Sequence, residues 1–309
     1  MSRPPSIPAS LIGTVFTSAQ ARAAGVSPSM LRGKHFHSLH RGVWCLQTTE
    51  LTFELRVRAA ALALPADAIL SHVSALQWHG VDVGRTAPVH FSTNKASQVK
   101  HDIVLHRRGH RLSSSQIRGI EVLGPDRSFV DSATILSLRD LVRAGDALVR
   151  LGSTTVETLL EYVVSSHLDG VVRARQAAML IRERVDSFRE TDVRLLLVTA
   201  GLPEPAVNVD VHAPDGSWLA RGDLVIEDLR IVVEHDGWHH ERDASQRQKD
   251  HLRRERIEAA GWILIVVTAA DFLHPTSIVA RVYEAMARRG YRGHPPDLGR
   301  EWHQIARNL

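Results

Sequence analysis

The run Leu219-Ala220-Arg221-Gly222-Asp223-Leu224-Val225-Ile226-Glu227-Asp228-Leu229-Arg230-Ile231-Val232-Val233-Glu234-His235-Asp236 decides the reading of this chain. Two apolar stretches, Leu224–Ile226 and Ile231–Val233, flank a polar break at Glu227–Arg230, which is the pattern of a β-hairpin. With the midpoint between Asp228 and Leu229, Asp223 falls opposite Glu234. Directly opposed residues project from the same face, and side chains alternate along a strand, so Asp236 joins Glu234 there. Three carboxylates are therefore expected to converge.

Gathered carboxylates repel, and burying them unpaired is costly. A hard divalent cation, Mg²⁺ or Mn²⁺, relieves the repulsion and brings the chemistry of phosphodiester hydrolysis with it. The bland alternative is an acidic hairpin edge facing solvent; three acids at this spacing, beside valines that read as buried, favour a metal site at Asp223, Glu234 and Asp236. His239 and His240 follow after Gly237-Trp238, and an imidazole there can act as general acid or base near neutral pH.

Outward from the hairpin, Ser245–Ala260 reads as a helix stopped by Gly261, and Ile263–Val267 as a buried strand. Strand, helix, strand implies a parallel crossover. Lys249 and Arg253 on that helix are candidate phosphate contacts, although most of its basic residues fit an ordinary solvated face. Upstream, Ser187-Phe188-Arg189-Glu190 opens a helix over Thr191–Ala200. Glu190 is explained equally by a capping box with Ser187 and by a place as a fourth acid near the metal.

The N-terminal end reads differently. Residues 1–49 hold Arg3, Arg22, Arg32, Lys34 and Arg41 and no acid; residues 85–118 hold seven Lys/Arg against Asp102 alone. With a net charge of +4, the remainder is acidic, and two basic segments on such a chain suggest a polyanion partner. The order from residue 12 to 46 is helix, turn, helix, hairpin. Ser18 is expected to cap Ala19–Ala24, Gly25 to stop it, and Ser27-Pro28 to start a second helix running to about His35. That is the order of a winged helix-turn-helix, which would place Arg32, Lys34, His35 and Arg41 against double-stranded DNA. Residues 51–180 read as an α+β middle domain with a basic loop at His106-Arg107-Arg108 and His110-Arg111, and with no catalytic constellation.

Composition sets the remaining bounds. At 309 residues the chain has room for two or three domains. One cysteine, Cys45, excludes an internal disulfide and a cysteine-built zinc site. No apolar run is long enough for a membrane span, and Leu11–Phe16 is too short for a secretory signal; the expected compartment is the cytoplasm.

Residues 187–285 resemble the restriction-endonuclease-like domain of the very-short-patch-repair endonucleases, within the PD-(D/E)XK superfamily. The likeness is carried by Asp223, by Val232-Val233-Glu234-His235-Asp236-Gly237-Trp238-His239-His240, by Lys249-Asp250, by Ala259-Ala260-Gly261-Trp262, and by Glu190-Thr191 with Leu195-Leu196-Leu197. It implies an α/β core with a central mixed sheet and Mg²⁺-dependent DNA cleavage. Asp223 and Glu234 would be metal ligands and His240 the subfamily histidine. Asp236 stands where the wider superfamily usually has lysine, and Val266 where many relatives carry arginine. Residues 12–46, through Leu39-His40-Arg41-Gly42-Val43-Trp44, resemble the winged-helix domain of AbiEi-type abortive-infection antitoxins, and Ser71-His72-Val73-Ser74-Ala75 fits the same multidomain group. The expected organisation is a winged helix-turn-helix at 1–50, the α+β middle domain at 51–180, the nuclease domain at 187–290 and a partly loose tail at 291–309. The leading expectation is a metal-dependent DNA endonuclease. The alternatives are a non-catalytic DNA-binding regulator or antitoxin with a degenerate nuclease fold, and an RNA-processing nuclease with the same site.

Overall fold

The computed structural model describes residues 7–95, 102–109, 112–236, 244–307 and 309. The protein is mixed α/β with mixed sheets. By internal contacts it divides into two compact units, Met1–Ser132 and Ala133–Leu309.

The first unit begins with β1 (Val15–Thr17), α1 (Ser18–Ala23), α2 (Pro28–Leu31), β2 (Phe36–His40) and β3 (Val43–Leu46). Its first sheet runs β1-β3-β2. Capping of α1 falls one residue earlier than expected: Thr17 and Gln20 form the capping box, which leaves Ser18 Oγ free to accept Trp44 Nε1 at 2.9 Å. Ser27 caps α2 with Pro28 at the first position, as the sequence predicts. The helix ends at Leu31, however, well short of His35. Gly33 donates back to the Met30 carbonyl at 2.9 Å, and that turn diverts the chain toward β2.

Then follow α3 (Phe53–Ala63), β4 (Ile69–Leu70), α4 (His72–Trp78), β5 (Val89–Thr93), β6 (Ile103–Arg107), β7 (Ser114–Ile117), β8 (Ile120–Leu123) and α5 (Pro125–Ser132). These strands form a second sheet in the order β6-β5-β4-β8-β7, with β5–β6 and β4–β8 parallel and the other pairs antiparallel. Val57, Leu70, Trp78, Phe91 and Val122 fill its core.

The second unit opens with four helices, α6 (Leu138–Arg150), α7 (Val156–Ser165), α8 (Val171–Ala178) and α9 (Phe188–Thr199). It continues through β9 (Ala206–His212), β10 (Trp218–Ile226), β11 (Ile231–Asp236), α10 (Ala244–Ala259), β12 (Ile263–Thr268), α11 (Pro275–Arg288) and α12 (Arg300–Ala306). The sheet order is β12-β11-β10-β9. Strands β9, β10 and β11 pair antiparallel, while β11 and β12 are parallel and joined through α10, the crossover the sequence predicts. Val211, Val225, Val232, Ile257 and Trp262 pack between α10 and the sheet. The segment expected as a loose tail is instead anchored. Trp302 and Ile305 of α12 are buried, and the Asp297 N–H donates to the Ala200 carbonyl at 2.9 Å.

Candidate active site

The hairpin of β10 and β11 pairs Ile226 with Ile231, Val225 with Val232 and Leu224 with Val233. The paired residues end there; one step further in the same register Asp223 and Glu234 would stand opposite, as expected from the sequence. Gly222 lets β10 pass close to the core here: a Cβ at that position would lie 2.8 Å from both Val225 Cγ2 and Val232 Cγ1. Asp223 Oδ2 accepts the backbone N–H of His235 at 3.0 Å.

The electrostatics gather a second acid from α9. The pKa of Asp223 is raised to about 6, first by burial, with Glu190 and Glu234 raising it further; the His235 N–H and Arg253 oppose the shift. Two negative charges therefore act on this carboxyl, Glu190 on α9 and Glu234 on β11. Glu190 is buried, and its other contacts combine a helix cap with a bond from β9. Ser187 Oγ accepts the Glu190 N–H at 3.2 Å and donates to Oε1 at 2.8 Å, while Oε2 accepts the Asp186 N–H at 3.0 Å and Asn208 Nδ2 at 2.6 Å. Capping and nearness to the acid pair thus coexist in one residue.

Glu234 is bound by Arg253 of α10 through two hydrogen bonds, Nη1 to Oε2 at 2.7 Å and Nη2 to Oε1 at 2.5 Å. Asp236 is buried, with Arg254 Nη2 at 3.6 Å. Asp223 thus feels the charges of Glu234 and Glu190, while Asp236 meets the next arginine along α10. Carboxylate oxygens are the right donors for a hard divalent ion. As arranged here, among the described residues, no group of three or more His, Cys, Asp or Glu side chains stands ready to hold one. His239 and His240, with Gly237 and Trp238, lie outside the described residues, as do His110 and Arg111 of the basic loop.

The sequence reading overlooked His235. Its ring meets Phe272 edge-on at 5.6 Å, and its Nε2 is buried without a hydrogen-bond partner among the described residues. Burial lowers its pKa, with Arg189 adding to the effect.

The other sequence-predicted contacts are separated from these acids along the chain. Arg32, Lys34, His35 and Arg41 of the first unit are all exposed, Arg41 in the turn between β2 and β3 beside Gly42, whose φ is +78°. Lys249 of α10 is exposed as well.

The first unit also holds a buried polar chain, in the stretch where the sequence shows no catalytic constellation. Ser92 Oγ donates to Ser71 Oγ at 2.9 Å, and Ser71 Oγ meets His72 Nδ1 at 2.9 Å. Arg108 Nη2 lies 3.2 Å from His72 Nε2 and the same distance from Asp131 Oδ1, and Arg127 Nε also bonds Asp131. A guanidinium only donates, so His72 Nε2 accepts and Nδ1 carries the proton. The His106 ring stacks on His72 at 3.6 Å, and its Nε2 bonds His90 Nδ1 at 3.0 Å. Burial and the surrounding His106, Arg108, His90 and Arg127 depress the His72 pKa to about 2. No spacing rule links these residues, which come from β4–α4, β5, β6 and α5.

No family model matches the chain. Two Mycobacterium tuberculosis proteins are similar to it: "Uncharacterized protein MT2308" of strain CDC 1551 / Oshkosh and "Uncharacterized protein Rv2248" of strain ATCC 25618 / H37Rv. Each is 24% identical over 259 residues, covering 82% of this chain and 93% of the relative. That span is longer than either compact unit, so the likeness runs across both.

Proposed function

We propose that the protein is a metal-dependent DNA endonuclease, with a restriction-endonuclease-like core in its second unit and a DNA-gripping winged helix-turn-helix at the start of its first. The observation that carries this reading is the tie across the hairpin, in which Asp223 accepts the His235 N–H next to Glu234, with Glu190 and Glu234 both raising the Asp223 pKa. Asp223 and Glu234 would hold Mg²⁺ or Mn²⁺, with Glu190 and Asp236 as the further acids around it. Such an ion, when bound, polarises a phosphodiester and lowers the pKa of water. The His235 N–H fixes the Asp223 carboxyl, and the Ser187–Asn208 pair fixes Glu190, so two of the acids are positioned before any ligand arrives. His240 is the proposed general acid or base. Arg32, Lys34, His35 and Arg41 would meet phosphates or base edges of duplex DNA, with Lys249 as a further phosphate contact. The expected compartment is the cytoplasm; no helix among the described residues is long and apolar enough to cross a membrane.

One observation favours the second reading, a DNA-binding regulator or antitoxin with a silent nuclease fold: Glu234 already has a cation, Arg253. Incubating the protein with plasmid, linear and mismatched DNA, with and without Mg²⁺ or Mn²⁺, separates the two. The endonuclease nicks only with metal and not as Asp223→Asn or Glu234→Gln. Tight, salt-sensitive DNA binding with no cleavage under any condition establishes the regulator instead.

A further inference from the structure

The two hydrogen bonds from Arg253 engage both oxygens of Glu234, and its Nη2 also donates to the Arg221 carbonyl at 3.1 Å. One guanidinium from α10 thereby touches both arms of the hairpin, on β11 through Glu234 and on β10 two residues before Asp223. The pair is largely withdrawn from water, with 31% of the Arg253 side chain and 15% of the Glu234 side chain exposed. A charge-assisted, two-pronged contact of this kind is strong. It uses the same carboxylate oxygens that a hard cation requires, and the two cannot occupy Glu234 in the same way at once. The acids here have the right chemistry for such a cation, while among the described residues no group of three or more stands ready to hold one.

We infer that Arg253 is the resident counter-cation of this site, holding Glu234 until a divalent ion displaces it, so that metal loading is an exchange at Glu234. The inference rests on the nuclease reading and names how that site is controlled. Once released, the guanidinium presents five donors that match a phosphate. A nucleic-acid backbone that takes Arg253 therefore favours metal entry, and by linkage the metal favours the nucleic acid equally. An empty site stays neutralised, and the loaded site forms where DNA is present.

Mn²⁺ alone, titrated into the full chain with the free ion followed by electron paramagnetic resonance, tests the exchange without any cleavage. Arg253→Gln is expected to bind Mn²⁺ about tenfold more tightly than wild type, with Arg253→Lys, which keeps the charge but not the two-pronged contact, between them. Arg221→Gln removes a neighbouring charge that pairs with Asp186 and should stay within about twofold of wild type. An equal gain in Arg221→Gln and Arg253→Gln reduces the effect to the general field and overturns the exchange. Unchanged or weaker binding in a folded Arg253→Gln overturns it too. Should that variant not fold, an Arg253→Lys affinity equal to wild type does the same. Mn²⁺ binding that is lost in Asp223→Asn but indifferent to Arg253 sinks the exchange and leaves the nuclease reading standing. No Mn²⁺ binding by any variant, wild type included, sinks both.

Discussion

Asp223 on β10 accepts the backbone N–H of His235 on β11 at 3.0 Å, so the central acid of the site is tied to the partner strand rather than free to turn toward solvent. Burial of the same carboxyl outweighs this tie and has an energetic consequence. The Asp223 pKa stands at about 6 against an ordinary 3.8. Between those values the folded protein keeps a proton that the unfolded chain has released. Stability is therefore lost as pH rises through that window, and the loss is complete above about pH 6. Asp223→Asn, which keeps an oxygen to accept from His235, should stabilise the second unit at pH 7.5 by about 1–2 kcal/mol and leave it unchanged near pH 4. Mg²⁺ should raise the melting temperature of wild type and not of the variant. Melting curves at the two pH values, with and without Mg²⁺, decide this; a variant less stable than wild type at pH 7.5 refutes the burial argument.

His72 makes the opposite prediction for acid. It is buried, its Nε2 accepts from Arg108, and its pKa is depressed to about 2; His106, stacked on it, is depressed to about 4. Below the ordinary histidine value of 6.5 the unfolded chain takes up protons that these rings refuse. Stability is then full above about pH 6.5 and falls toward pH 4, by roughly 1 kcal/mol per pH unit for each ring. Denaturant midpoints at pH 7, 6 and 5 should show that slope, and His72→Gln should flatten it even though it lowers stability at pH 7. A slope unaltered by His72→Gln assigns the acid sensitivity to other groups.

The hairpin was legible because two apolar runs flank a four-residue break, and its pairing of Leu224 with Val233 through Ile226 with Ile231 needs nothing beyond that symmetry. The crossover from β11 through α10 to β12 follows from hydrophobic period and length. Strand β9 carries the alternation Val207, Val209, Val211, and α11 has Pro275 at its start with Ile278, Val279, Val282 and Met286 at helical spacing. Both signals were present but weaker than the hairpin's. The pairing of Glu234 with Arg253, 19 residues on, and of Asp146 with Arg194, 48 residues on, could not be read. Local propensity makes an arginine on a helix a solvated residue by default, and only tertiary placement turns it onto a carboxylate.

Arg194 illustrates what such placement costs. It is fully buried, bonding Asp146 Oδ2 at 3.1 Å and Glu204 Oε1 at 3.1 Å, while Asp146 also accepts the Arg182 N–H and Thr191 Oγ1. Burial raises the Asp146 pKa and Arg194 lowers it in turn. Arg194→Leu strands a buried carboxyl and should cost about 3–5 kcal/mol. Arg194→Leu with Asp146→Leu should cost less than the two single changes added, though not nothing, because Thr191 and the Arg182 N–H then lose their acceptor. Urea denaturation of the three variants measures the coupling, and strict additivity shows that the pair does not act as a unit.

Arg32, Lys34 and Arg41 are exposed, so substituting each with glutamine should leave stability within about 0.5 kcal/mol of wild type. If they meet phosphates, each change weakens binding to every duplex about equally. The slope of log affinity against log salt should fall by about 0.9 per lost contact. Fluorescence anisotropy with two unrelated duplexes at several salt concentrations reads both quantities. Unchanged slopes in all three variants remove these residues from the DNA interface, whichever function the second unit performs.

Gly222 links packing to chemistry. An added Cβ would stand 2.8 Å from Val225 Cγ2 and Val232 Cγ1 and 3.3 Å from Val211 Cγ2. Gly222→Ala must therefore push β10 away from these valines or force them off their rotamers, at about 1–3 kcal/mol. Asp223 is the next residue, so the shift should also lengthen its bond to the His235 N–H and lower any metal-dependent cleavage more than the stability loss alone would. Val232→Ala removes one of the two closest obstacles and, by itself, costs about 1–3 kcal/mol as a cavity. The strain and the cavity occupy the same space, so the double variant should be more stable than the sum of the single effects predicts. A double variant no better than additive would mean that β10 yields by moving as a whole, and the close fit at Gly222 would then not be what positions Asp223.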